Sequence, residues 1–348
     1  LKLINVIRIS LTPLLSVIFL FYSSNIIILT TVLAIVNIGA LFVSYYYYKK
    51  TLNIKMTFQQ IESTLKKEII KYSLIIFVVA IADKLYWQTD QILLGILENP
   101  EIVAIYALAI QFVNIFMSLS IAINSVFLAR VTHLVSETNY LKRLNSLFIK
   151  VSKFQTVVLG LFFSGFVLIG EVFINLWVGE SYKSAYHIVI ILMSAFSLDL
   201  IQNLGLVIMQ AKGKYSFRAY SLITCALLNV LISIPVIKLY GSIGTAVITS
   251  IFVFIGNVFV LNIYYHKVIK LDMINYWLQI GKLIIITAIV TVGGFFVRDL
   301  FKINNWLTLF IFSGFYSVVY CFAIYFLYLS KKEKLYLKNK LSSVKIKV

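Results

Sequence analysis

Residues 102–127 read IVAIYALAIQFVNIFMSLSIAINSVF, a run of 26 without a single charged side chain. A helix crossing the roughly 30 Å hydrocarbon core of a bilayer needs about 20 mainly apolar residues, and this run exceeds that length. Upstream it is bounded by the polar turn Glu98-Asn99-Pro100-Glu101, downstream by Arg130. Working outward, nine further runs have the same character. The ten are 8–24, 26–48, 72–97, 102–127, 154–173, 185–210, 217–237, 243–264, 280–297 and 306–329. Pro13 and Pro235 fall inside runs, which membrane helices tolerate when neighbours satisfy the freed carbonyl. Hydrophobic residues make up 61% of the 348-residue chain and charged ones 13%, about half the charge of an ordinary soluble domain. A soluble globular domain, a disordered chain and a disulfide scaffold are thereby excluded. The expected fold class is all-α: a polytopic membrane protein of about ten transmembrane helices. Cys225 and Cys321 lie in apolar runs and read as buried fillers rather than a disulfide.

The net charge of +18 would suggest nucleic acid in a soluble protein. Position argues otherwise. If the runs alternate in direction, 26 of the 31 Lys and Arg residues fall on one side, four on the other, and Lys84 within a run. The 13 acids show no bias: five on each side, with Asp83, Asp90 and Asp199 inside runs. Such an asymmetry of Lys and Arg alone is the topology signal that marks the cytoplasmic side. It predicts both ends of this chain in the cytoplasm and no nucleic-acid partner. Trp177 and Trp306 at the far boundary and Trp277 at the basic one fit aromatic belts. Tyr45-Tyr46-Tyr47-Tyr48 before Lys49-Lys50 reads as an anchor on the basic side.

On that side, 57–72 carries Phe58, Ile61, Leu65, Ile69 and Tyr72 at helical spacing behind a capping box at Thr57 and Gln60. A helix on the membrane surface is expected there. The 138–153 stretch, with Leu141, Leu144, Phe148 and Val151, either does the same or is a solvated connector. The tail from Lys331 to Lys347 is a basic run suited to anionic lipid.

Enzyme signatures are missing. No HExxH, GxSxG or Walker A occurs, and His133, His187 and His266 stand alone. Loops opposite the basic side are short, the longest (174–184) about a dozen residues, leaving little chain for a catalytic site. No cofactor is implied.

What remains is charge inside the membrane. The third run contains Ile81-Ala82-Asp83-Lys84-Leu85-Tyr86-Trp87-Gln88-Thr89-Asp90-Gln91. Asp83 and Asp90, seven residues apart, share one helix face, with Lys84 adjacent. Asp83 lies 12 residues beyond Lys71, or roughly 18 Å at 1.5 Å per residue, near the midplane. The sixth run carries Asp199, Gln202 and Asn203 on one face. A charge at the bilayer centre costs on the order of 2.5–3.5 kcal/mol. These groups should therefore face partners or a wet cavity. The plainer alternative is interhelical pairing as packing glue, the preferred reading for Asn114, Asn124, Asn229, Asn257 and Asn262. The candidate cavity residues are Asp83, Lys84, Gln88, Asp90, Asp199, Gln202 and Asn203.

The order of local motifs resembles that of polysaccharide flippases. Asp90-Gln91-Ile92-Leu93-Leu94-Gly95, then Tyr106-Ala107-Leu108-Ala109, then Leu176-Trp177-Val178-Gly179-Glu180, then Gln210-Ala211-Lys212-Gly213-Lys214 follow the family's pattern over about 70–264. The family is the O-antigen and capsule repeat-unit flippases of the multidrug/oligosaccharidyl-lipid/polysaccharide exporter superfamily. Arg130 departs from it, standing near where relatives often carry proline. The resemblance implies a two-lobe bundle of 12 to 14 spans, so a chain of ten that begins at Leu1 would have an incomplete first lobe. On that mapping 1–48 hold the last two helices of the first lobe and 49–71 an amphipathic connector. Residues 72–264 form the six-helix second lobe, 265–329 an additional pair and 330–348 a basic tail. The implied function is alternating-access transfer of a polyprenyl-diphosphate-linked oligosaccharide across the inner (cytoplasmic) membrane, coupled to a proton or sodium ion, with other glycan-assembly proteins as partners. Lys84 is the cation available for the diphosphate, and the acids would serve sugar hydroxyls or the coupling ion. The alternatives are a cation-coupled drug exporter of the same superfamily and, from another class, a membrane glycan polymerase or acyltransferase.

Overall fold

The computed structural model describes residues 2–22, 26–47, 49–50, 62–329 and 334, and every regular element among them is helical. The chain divides into two compact units, Leu1–Ile69 and Ile70–Val348.

In the first unit α1 (Lys2–Tyr22) packs against α2 (Ile26–Tyr47). Arg8 Nη1 donates across the pair to Asn37 Oδ1 at 3.4 Å. Beside Pro13, the Thr12 hydroxyl donates to the Arg8 carbonyl at 2.8 Å. The first five residues of the proposed surface helix, 57–61, and the Ser23-Ser24-Asn25 turn lie outside the described residues, as does the basic tail apart from Lys334. From Ser63 the chain is already α3, which runs unbroken to Leu97. Ser63–Tyr72 therefore continue into the third span as one helix.

The second unit takes up α3 from Ile70 and adds α4 (Pro100–Val135), α5 (Tyr140–Val178), α6 (Ala185–Leu200), α7 (Leu204–Ala211), α8 (Ser216–Val253), α9 (Leu261–Tyr264), α10 (Met273–Phe301) and α11 (Trp306–Ala323). α4 starts cleanly because Asn99 caps it, its side chain accepting from Ile102 N at 3.0 Å with Pro100 at the first helical position. α5 has 39 residues and so extends about 58 Å, twice the hydrocarbon thickness. Its first turns include the 138–153 stretch. They neither lie on the membrane surface nor form a solvated connector: Leu144, Phe148 and Val151 are buried. Phe148 stacks on Tyr276 of α10 with ring centroids 4.8 Å apart. The expected dozen-residue outer loop shrinks to 179–184, and Lys183 in it pairs with Glu171 at 2.9 Å.

α8 hides a reversal. Its helical hydrogen bonding continues through π-helical turns and α9 to Ile269, making 54 residues, which would be about 80 Å if straight. Yet Asn229 Nδ2 donates to Thr249 Oγ1 at 3.0 Å, and Ser221 Oγ to the Gly256 carbonyl at 3.5 Å. In a straight helix residues 221 and 256 would lie roughly 50 Å apart. The chain folds back at Gly241, whose φ of 57° and ψ of −144° belong to a region essentially restricted to glycine. The seventh and eighth spans are the two limbs of this hairpin.

Seven described helices are long and apolar enough to cross a membrane. The difference from ten is accounted for. The hairpin counts once, α1 offers only the shorter apolar segment Ile7–Phe19, and α3 carries charge. The core of the second unit forms where α6 packs against α4, α5 and α8, with α10 and α11 packed on α5. Exposed apolar side chains are plentiful, among them Leu239, Phe296 and Leu307, as lipid-facing helices require.

Candidate functional site: a polar cavity and a buried carboxylate

The sixth span is broken where its polar residues cluster. α6 ends at Leu200, and α7 begins at Leu204. Asp and Asn side chains compete with the backbone for hydrogen bonds and weaken helices. Here the chain tightens into three-residue turns: Gln202 N donates to the Asp199 carbonyl (3.2 Å), Asn203 N to that of Leu200 (3.2 Å) and Gly205 N to that of Gln202 (2.8 Å). Ser120 Oγ of α4 also donates to the Leu200 carbonyl at 3.1 Å. Irregular backbone at membrane depth is tolerated only when satisfied in this way.

Against the break lies the π-helical turn Phe254–Val260, a feature frequent at functional sites. Asn257 Nδ2 donates to Asp199 Oδ2 at 3.0 Å, and Gln202 Nε2 donates to the Asn257 carbonyl at 2.8 Å. Asn262 Nδ2 donates to Gln202 Oε1 at 2.7 Å and also to the Val258 carbonyl. Trp277 Nε1 closes the chain on Asn262 Oδ1 at 2.8 Å. A ladder of amides thus runs from Asp199 to the tryptophan at the basic end.

Asp199 also lines a cavity of about 490 Å³ between α4, α6, α7 and α8. Asn124, Asn203, Gln210, Tyr215, Asn257 and Arg218 share its wall. Arg218 is the residue missed in the sequence. It follows Lys212 and Lys214 closely and reads there as one more boundary cation. The fold places it on the cavity wall, near enough to Asp199 for their charges to interact. Lys84 is therefore not alone as a cationic candidate.

Asp90 sits elsewhere, 3% exposed. Its Oδ2 accepts from the Tyr106 hydroxyl and from Thr249 Oγ1, both at 2.7 Å. Thr249 Oγ1 accepts from Asn229 Nδ2, and Asn229 Oδ1 accepts from Ser233 Oγ at 2.8 Å. This buried cluster ties α3 to α4 and to both limbs of the hairpin. Lys84 and Gln88 are exposed on α3 and join neither cluster. The side chain of Asp83 is outside those described. Among the described residues no group of three or more His, Cys, Asp or Glu could hold a metal ion.

Residues 3–129 match the family model described as "Polysaccharide biosynthesis protein". Among solved structures the chain is similar to "Lipid II flippase MurJ, inward closed conformation", with a TM-score of 0.67 over 91% of this chain at 16% identity. It shares the fold of a lipid flippase. The chain spans 66% of that protein's length, slightly under two thirds. No curated protein sequence matches. The family model overlaps the first part of the stretch whose motif order resembles polysaccharide flippases, residues 70–129, and the fold is in keeping with that resemblance.

Proposed function

We propose that this chain moves polyprenyl-diphosphate-linked oligosaccharide repeat units across the cytoplasmic membrane for surface polysaccharide such as O-antigen or capsule, with its basic end in the cytoplasm. The observation that carries the reading is the cavity holding Arg218 and Asp199 inside an otherwise apolar bundle of flippase fold. A guanidinium presents planar paired donors that suit a diphosphate. The amides of Asn124, Asn203 and Gln210 and the Asp199 carboxylate supply the mixed donors and acceptors that sugar hydroxyls require. The lipid tail stays in the bilayer while the polar head crosses. Switching of access follows the rocking scheme of secondary transporters.

The Asp90 cluster suits the coupling step. Carboxylate, hydroxyl and amide oxygens from α3 and both hairpin limbs are ligands for a small hard cation, and a buried carboxylate is equally a proton acceptor. Loading there would bias how three helices pack. Arg218 weighs against the drug-exporter alternative, because a cationic drug would meet a like charge. The short outer turns weigh against a polymerase or acyltransferase. Deleting the gene should abolish surface glycan and build up lipid-linked units on the cytoplasmic side. Normal surface glycan in the deletion strain would sink the reading.

A further inference from the structure

Beyond the Asp199 cavity, a second recess opens at the basic end, in the angle between the last turns of the hairpin and the first turns of α10. It measures about 600 Å³. Its lining is amphipathic along one direction. Phe259, Ile263, Ile274 and Leu278 form an exposed apolar floor, and His266 and Lys267 stand at the end next to the elbow.

The elbow itself is fixed. Lys270 takes a left-handed conformation with φ 65°. Asn145 brackets it, donating to the Lys270 carbonyl at 3.3 Å and accepting from Asp272 N at 2.7 Å. Lys212 donates to the Ile269 carbonyl at 2.8 Å and lies over the Tyr140 ring. Asp272, the nearby acid, caps α10 by accepting from Asn275 N at 3.1 Å. Lys212 and Asp272 are thus engaged in structure, whereas His266 and Lys267 are exposed and make no ion pair among the described residues.

A site with an apolar floor, a lysine and a histidine N–H donor at one end and a tryptophan at the boundary has the chemistry of a phospholipid site. We propose that this recess binds one anionic phospholipid of the cytoplasmic leaflet, its phosphate at His266 and Lys267 and its acyl chains along Phe259, Ile263, Ile274 and Leu278. Charge complementarity selects the anionic headgroup. The choice of leaflet rests on the orientation proposed above, but binding itself needs neither that orientation nor flippase activity. The back wall of the recess is Asn262 and Trp277, the last members of the amide ladder that starts at Asp199. A bound lipid would therefore press on the end of that ladder.

The test uses the full chain, purified in detergent and stripped of lipid. Phosphatidylglycerol, phosphatidylcholine and inorganic phosphate are titrated separately, with bound lipid read by native mass spectrometry. Phosphatidylglycerol should be retained in preference to phosphatidylcholine, and inorganic phosphate should not compete with it. Lys267→Ala should weaken phosphatidylglycerol about fivefold, the effect of one lysine beside an anionic headgroup. Lys150→Ala, which removes an exposed lysine of α5 outside the recess, should leave binding unchanged. Equal retention of the two lipids would overturn the proposal. So would equal losses from the two substitutions, which would mean diffuse attraction, or displacement of the lipid by free phosphate.

Discussion

Asp90 and Asp199 stand out in the sequence for one reason: an acid inside an apolar run is costly enough to need an explanation. Nothing similar marks Arg218. It lies in a basic loop, and only the folding of α8 against α7 and α4 brings it to the cavity. The partners of Asp90 are equally silent, since Tyr106, Asn229 and Thr249 are ordinary membrane residues until three helices converge. These contacts give predictions. Asp90→Ala removes the carboxylate that accepts from the Tyr106 and Thr249 hydroxyls and should cost about 1–3 kcal/mol, seen as a lower Tm in detergent. Asp90→Asn keeps an acceptor oxygen and should retain most stability while export falls. If both variants lose stability alike, hydrogen bonding does not explain Asp90. At the cavity, Arg218→Ala should reduce lipid-linked substrate binding by roughly ten- to a hundredfold, the range of a charge-assisted hydrogen bond. Arg218→Lys keeps the charge but not the paired donors and should fall between. Binding of a polyprenyl-diphosphate glycan by the purified variants decides this.

The elements were legible where length and hydrophobicity define them: nine of the ten runs reappear as helices or limbs of one, and 185–210 as the broken pair α6 and α7. Interruptions were harder. The run 185–210 gives no hint that it breaks at Ile201–Asn203, because the break depends on Ser120 and Asn257 arriving from other helices to satisfy it. The surface-helix reading of 138–153 failed for a related reason. An amphipathic stretch looks the same whether its apolar face meets lipid or the bundle, and Phe148 meets Tyr276. Two glycines carry testable consequences. A Cβ on Gly205 would lie 2.5 Å from the Tyr265 ring, so α7 can approach the hairpin only without a side chain there. Gly205→Ala should lower Tm, and adding Tyr265→Leu should recover part of the loss, a coupling that a double-mutant cycle measures. Gly241→Ala forces a side chain into a glycine-only conformation, at about 1–3 kcal/mol. Its Tm should fall with no rescue from a second site.

For the whole molecule, the sequence carries one strong global signal, the sorting of Lys and Arg. That signal concerns orientation and is open to direct measurement. In a background with Cys225 and Cys321 replaced by alanine, Lys183→Cys should react with a membrane-impermeant maleimide in intact cells. Lys142→Cys should react only after permeabilisation. Labelling of both in intact cells would contradict the cytoplasmic assignment of the basic end. The hairpin at Gly241 bears on how such a molecule is made. Its limbs meet with almost no loop between them, so the ribosome delivers two spans whose polar side chains, Asn229 and Thr249, are already partners. Neither limb alone can hide those groups from lipid, but together they can. The translocation channel should therefore release the seventh and eighth spans into the bilayer as a joined pair, after synthesis has passed Thr249.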